Sequence, residues 1–266
     1  MSEPLLSVEG LEVVYGHTIR AIQGVSFNVP EGAIIGLVGL NGAGKTTTIR
    51  AISGYLPTEN VRITDGALKF DGRSIRGWRP YQTAKAGLAV VPERDKVFDT
   101  LTVAENLEVA ATVGGARRRS DRFGSLAAVY KEFPNLAERA DRRAVYLSGG
   151  ERQMLAIAAA LLTGPRMLII DEATLGLSPA IRRQVLELIT ELNQELGITV
   201  LIVDQDVSGV LSIAEYGYIL ENGRVVFDGP ADTLREHGDV KEFYLGGGKD
   251  RSYRDVKQYR RVRRWY

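Results

Sequence analysis

Gly39-Leu40-Asn41-Gly42-Ala43-Gly44-Lys45-Thr46 fits G-x-x-x-x-G-K-[ST], a spacing suited to cradling phosphate. In such a loop the backbone of Gly39, Asn41, Gly42, Ala43 and Gly44 wraps phosphate oxygens, with N–H groups pointing inward. Lys45 supplies a point charge for β- and γ-phosphates. The Thr46 hydroxyl is the expected Mg²⁺ ligand, and Thr47 can reach the phosphates nearer the ribose. A second element of the same chemistry lies downstream, where the apolar run from Arg166 ends in Asp171-Glu172. Beside a phosphate loop the two carboxylates divide the work: Asp171 holds the Mg²⁺ shell and Glu172 polarises an attacking water as general base. The third is Leu147-Ser148-Gly149-Gly150-Glu151-Arg152-Gln153. Taken alone it is a capped helix start, with Ser148 as N-cap and Glu151 closing a capping box. Its free N–H groups and the positive end of the helix dipole also make an anion site.

Positioning these groups requires strands that end where they begin. Core strands are predicted at Ile34–Val38, Leu88–Val91, Met167–Asp171 and Thr199–Val203, all short, apolar and β-branched. Open α/β sheets place ligands at the carboxyl ends of such strands. Leu5–Glu9, Glu12–Tyr15, Gly24–Val29 and Gly66–Phe70 read as a separate antiparallel layer. Tyr216–Glu221 and Arg224–Phe227 form a hairpin across Asn222-Gly223. Between Thr100 and Leu162 helical patterns replace strands, at Val103–Thr112, Ser125–Phe133 and Glu151–Leu162. A further helix is expected over Ile181–Leu196. The fold class is therefore α/β: a mostly parallel core sheet, an antiparallel β subdomain, and an α-helical subdomain inserted over about residues 95–164.

The chain of 266 residues is long enough for a sizeable core, and its net charge of +1 gives no sign that the body binds nucleic acid. Without cysteine it has no disulfide or thiolate chemistry, which is compatible with the cytosol. Met1-Ser2-Glu3-Pro4 lacks the basic and apolar regions of a signal peptide. The longest apolar stretch, near Met154–Leu162, is too short to span a bilayer, so work at a membrane is expected to go through a partner.

With phosphate loop, acidic strand end and LSGGERQ in this order, residues 5–248 resemble the ATP-binding subunits of ABC transporters. The resemblance implies a P-loop NTPase core that binds ATP and Mg²⁺, and head-to-tail pairing with a second ABC ATPase subunit, in a homodimer or a heterodimer. Ser148, Gly149 and Gly150 would then serve the partner's ATP. It further implies integral membrane permease subunits, a solute-binding protein acting through them, and a peripheral place on the cytoplasmic face of the membrane. Tyr15 is either packing or, as the resemblance implies, an adenine-stacking aromatic. Leu175-Gly176-Leu177-Ser178-Pro179-Ala180 matches the family's loop across the dimer interface and is also a proline-bearing turn before a helix. Two positions depart from the usual pattern. Where the family has Gln after the second core strand, this chain has Glu93, which can ligate the metal but is repelled by γ-phosphate. Where it has a switch His, this chain has Gln205, which donates an uncharged hydrogen bond. Residues 91–98 (VPERDKVF), 102–107 (TVAENL), 174–178 (TLGLS) and 220–223 (LENG) resemble, more narrowly, the branched-chain amino acid importer ATPases.

His17 and His237 read as ordinary surface residues, and Gly114–Arg119 as a solvated basic loop. The tail 249–266 carries eight Lys or Arg against two Asp, with Tyr253, Val256, Tyr259, Val262 and Tyr266 at helical spacing. It is a solvated terminus or a surface that docks on a partner, on the dimer or on anionic lipid. The leading function is the energy-coupling ATPase of an importer for branched-chain or other hydrophobic amino acids or related small solutes. The alternative is a soluble ABC-type ATPase acting on nucleic acid or ribosomes. A nucleotide-dependent binder that barely hydrolyses is a third reading, kept open by Glu93 and Gln205. Because Gln205 cannot become cationic, turnover at saturating ATP should be modest and show little pH response from that position. A steep loss between pH 7 and 6 would count against this.

Overall fold

A computed structural model describes residues 3–16, 18–56, 60–94, 96–113, 123 and 125–245. His17, the Gly114–Arg119 loop, the Gly246–Gly248 break and the tail 249–266 lie outside the described residues. In chain order the elements are β1 (Leu6–Tyr15), β2 (Ile19–Val29), β3 (Ile34–Val38), α1 (Lys45–Ser53), β4 (Val61–Phe70), β5 (Arg73–Ser74), α2 (Pro80–Ala86) and β6 (Leu88–Val91). Then come α3 (Val103–Val113), α4 (Leu126–Glu132), α5 (Pro134–Ala137), α6 (Gly149–Leu162), β7 (Met167–Asp171), α7 (Pro179–Leu196) and β8 (Thr199–Asp204). The described chain closes with α8 (Val207–Leu211), β9 (Tyr216–Glu221), β10 (Arg224–Pro230), α9 (Ala231–Glu236) and α10 (Gly238–Tyr244).

Two sheets result. The core sheet runs β10-β9-β3-β8-β7-β6, parallel throughout except for the β9–β10 hairpin at its edge. The second sheet, β2-β1-β4-β5, is antiparallel. The period-two alternation of the core strands sends side chains to both faces. Ile34, Val38, Leu168, Ile170, Val200 and Ile202 enter one apolar cluster with α6 and α7. Ile35, Leu37, Met167, Ile169, Leu201 and Val203 enter a second with α1 and the antiparallel sheet. Burial on both faces is why these strands read as continuous apolar runs.

The antiparallel layer is longer than its sequence pattern suggests. Leu5–Glu9 and Glu12–Tyr15 are one strand, bulged where Gly10 takes φ 59° and the register slips between Glu9 and Glu12. Gly24–Val29 begins at Ile19, and Gly66–Phe70 begins at Val61, because pairing to β1 extends both past their glycines. His237 is exposed and lies 5.1 Å, ring to ring, from Phe227. No described helix is long and apolar enough to cross a membrane.

The helices α3 to α6 lie between two adjacent strands of the core sheet, β6 and β7. Entry to this block is fixed by a buried amide. Asn106, 4% exposed, accepts from Phe98 N (2.7 Å) and donates to Phe98 O (3.1 Å) and Thr102 O (2.8 Å). Its oxygen takes the Phe98 N–H, and its donors add second hydrogen bonds to two carbonyls that also accept from Leu101 N (3.1 Å) and Asn106 N (3.0 Å). Replacing Asn106 by Ala is expected to cost about 2–3 kcal/mol in denaturant unfolding; a change within error would show that water replaces the amide.

Candidate active site

β3 delivers the chain to the phosphate loop through five buried residues. A Cβ on Gly39 would stand 2.2 Å from Leu220 O, and Gly44, with φ 107°, is the N-cap of α1 without a side-chain cap. The first turn of α1 therefore leaves its N–H groups to the loop. The loop is braced from outside by the β9–β10 turn. Gly223 N donates to Ala43 O (2.8 Å), and Gln23 N donates back to Gly223 O (2.8 Å). Lys45 Nζ donates to Gly39 O (2.8 Å) and Leu40 O (3.3 Å) and pairs with Glu172 Oε1 at 3.3 Å.

β7 ends in Asp171, and the next residue, Glu172, takes φ 52°, a left-handed conformation costing a non-glycine residue about 1–3 kcal/mol. Its N–H is held by Val203 O at 2.7 Å, and its carboxylate accepts from the Gln205 backbone N–H. Burial pushes the Glu172 carboxyl up, with Lys45 opposing and Asp204 adding to the shift. Burial, then the charges of Glu172 and Glu93, push Asp171 up to about 6, although a Thr46 hydrogen bond and Lys45 oppose it. The pH test of Gln205 is read beside Gln205→His, which adds an imidazole there. Asp171 Oδ1 and Glu172 Oε2 are buried without a hydrogen-bond partner among the described residues. With the Thr46 hydroxyl and Glu93 nearby, this all-oxygen set suits a hard divalent cation.

A cleft of about 680 Å³ gathers Asn41, Gly42, Gly44, Lys45, Thr46, Thr47, Glu93, Glu172 and Gln205, all expected from sequence. Ile19, Arg20, Ala21, Gln23 and Asn222 join them without any signal in the sequence, since β2 and the β9–β10 turn reach the loop only through folding. Tyr15 stands at the margin, its hydroxyl 3.3 Å from Thr47 Oγ1. An adjoining cleft of about 780 Å³ continues past Asp171, Thr46 and Glu93 to Arg50, Tyr55 and Arg94. Asp204 was also missed as a functional residue. It is fully buried and accepts from Thr174 N and Oγ1, each at 2.9 Å, and from Asp206 N at 3.0 Å. It ties the loop after Glu172 to the segment carrying Gln205.

Ser148, Gly149 and Gly150 do not line the home cleft. The capping box is formed as the sequence indicates: Glu151 N donates to Ser148 Oγ (3.3 Å) and Ser148 N to Glu151 Oε2 (2.8 Å). Ser148 and Gly149 are exposed, whereas Gly150 is buried, where a Cβ would meet Ile181 Cγ2 at 2.5 Å. That glycine is needed for packing against α7, whatever its neighbours bind.

A phosphate loop after β3, whose lysine pairs with a buried glutamate after β7 beside an orphaned aspartate oxygen, defines a P-loop ATPase. The profile of the ABC transporter family matches residues 22–175, and the chain belongs to that family. It is 37% identical to the high-affinity branched-chain amino acid transport ATP-binding protein BraG of Pseudomonas aeruginosa, over 91% of this chain and 100% of the relative. It is 33% identical to BraF of the same organism, over 92% and 99%. Among solved structures, an ATP-binding cassette of an ABC transporter in its ADP conformation superposes with a TM-score of 0.77 at 26% identity, covering 92% of this chain and 100% of that one.

The brace on the loop is open to test. Gly223→Val places a Cβ 2.3 Å from Ala21 O, at a φ of +74°. ATP affinity by nucleotide titration should fall at least about tenfold, as expected when a positioning hydrogen bond is lost. Unchanged affinity in a folded variant would remove the turn from the site.

Proposed function

We propose that this chain is the ATP-hydrolysing subunit of an importer for branched-chain or other hydrophobic amino acids or related small solutes. The observation that carries the chemistry is Glu172, buried against Lys45 with its second oxygen unpartnered. Lys45 holds the β- and γ-phosphates. Glu172 takes a proton from the water attacking the γ-phosphorus, and burial raises its affinity for that proton. The Gln205 N–H orients the carboxylate, and the Gln205 amide offers an uncharged hydrogen bond nearby. Mg²⁺, held by Thr46 and Asp171 with Glu93 beside them, would neutralise charge on the phosphate oxygens. Asn41, Gly42, Ala43, Gly44 and Thr47 bind the phosphates, and Tyr15 stacks on adenine.

The exposure of Ser148 and Gly149 and their absence from the home cleft support their use on a partner subunit's ATP. Likeness to both BraG and BraF, two such proteins of one organism, supports a companion of similar but not identical sequence. Permease subunits, and a solute-binding protein acting through them, are the further partners, on the cytoplasmic face of the membrane. The cleft past Arg50, Tyr55 and Arg94 offers the permease a surface next to Glu93. Residues 1–248 form the ATPase, and 249–266 a basic aromatic extension. No observation favours action on nucleic acid.

Glu172→Gln should lower turnover about 10²–10⁴-fold, the span of a lost general base, with ATP affinity within a few-fold. The variant should accumulate with ATP as a pair by light scattering, and cells carrying it should lose leucine uptake. Retained turnover would remove Glu172 from catalysis; retained leucine uptake with lost turnover would exclude leucine as the solute.

A further inference from the structure

The connection from β6 to α3 leaves Glu93 and runs directly onto the start of α6. Its backbone pairs with the approach to Ser148: Val145 N donates to Asp99 O (3.0 Å) and Ala144 N to Leu101 O (2.9 Å). Two of its side chains then dock on consecutive residues of α6. Asp99 pairs with Arg152 at 3.4 Å, and the Lys96 ammonium donates to Gln153 Oε1.

The two contacts differ in what surrounds them. Asp99 and Arg152 are 55% and 31% exposed, so solvent screens their attraction. Gln153 is 1% exposed, and its Nε2 finds no hydrogen-bond partner among the described residues. Lys96 is half-buried, and burial lowers its pKa; Glu93 and Asp171 attract the ammonium while Arg152 repels it. A desolvated cation rests where negative charge holds it. Here that charge comes from Glu93 and Asp171, and the ammonium's hydrogen bond goes to α6. A divalent cation arriving at those carboxylates cancels the attraction at short range, where the dielectric is low.

We propose that Lys96 is a positioning residue that passes the occupancy of the Thr46–Asp171–Glu93 site, through Gln153, to Ser148–Gly150. The inference rests on the ATP and Mg²⁺ reading above, and what it adds is the residue pair of this chain, Lys96 and Gln153, that would carry the charge-dependent contact. Asp99–Arg152 keeps the segment in register, and Lys96 carries the charge-dependent part.

The test is hydrogen–deuterium exchange on the full chain, dilute enough that light scattering reports a single copy. The chain is measured alone, with ATP plus EDTA, and with ATP plus Mg²⁺. In the wild type, Mg²⁺ with ATP should change exchange at 148–155 by about tenfold beyond ATP alone, the order of one charge-assisted hydrogen bond. Lys96→Met should abolish that response while protection of 39–47 by ATP persists, and Lys96→Arg should restore it. Gln153→Leu should act like Lys96→Met, and the double variant no more strongly. Lys96→Gln, which keeps a donor without the charge, has the same expected outcome and serves if the methionine variant does not fold. An equal response at 148–155 in wild type and Lys96→Met, or none in the wild type, overturns the proposal. Absence of ATP protection at 39–47 in the wild type would fell the nucleotide reading itself and this proposal with it.

Discussion

Among the described residues, every buried charged side chain belongs to one place. Lys45, Asp171, Glu172 and Asp204 are all buried, and all stand at or just beyond the carboxyl ends of β3, β7 and β8. The 3.3 Å pair between Lys45 and Glu172 is what makes that burial tolerable, since one buried cation offsets part of three carboxylates. An unpaired buried charge costs several kcal/mol, so the strands can end this way only if the loop brings its lysine to the same point. The strand order β3-β8-β7 meets that demand by setting the three ends side by side.

The remaining excess of negative charge is the resource of the site. Asp171 is pushed up to about 6, and the Glu172 carboxyl is also raised, both chiefly by burial. Backbone groups from β8 and the segment after it hold Glu172 in a left-handed conformation that a glutamate does not choose by itself. Strain of this kind persists where surrounding structure over-determines it, and here neighbouring parallel strands do so. Asp204 extends the same logic outward, fastening the Thr174 loop to the Gln205 segment with a buried carboxylate.

The helix α6, which begins at the LSGGERQ segment, is placed by other contacts. Its capping box is local, but its placement depends on Gly150 against Ile181 of α7 and on the segment from Lys96 to Leu101 lying along its start. The start of α6 is thus tied by short contacts to the segment that follows Glu93.

Much of this was legible in the amino-acid sequence, for reasons of range. Phosphate loop, acidic strand end and capping box are each contiguous, so their chemistry is written in adjacent residues. The parallel strands are buried on both faces, so their apolar runs stand out. The antiparallel strands were underestimated because β4 begins half-exposed and polar, and its length is set by pairing with β1 rather than by its own pattern. Asn222-Gly223 was visible as a turn, with φ 49° and 74°, but not as the brace of the phosphate loop, because Ala43 lies far away in the chain. The sequence by itself determined which residues can handle phosphate, metal and water. Only the tertiary structure decided that Lys45 meets Glu172, that Asp204 links two loops and that Lys96 reaches Gln153. Those contacts join distant segments, and hydrogen bonds and Coulomb forces act on separation in space, not in sequence.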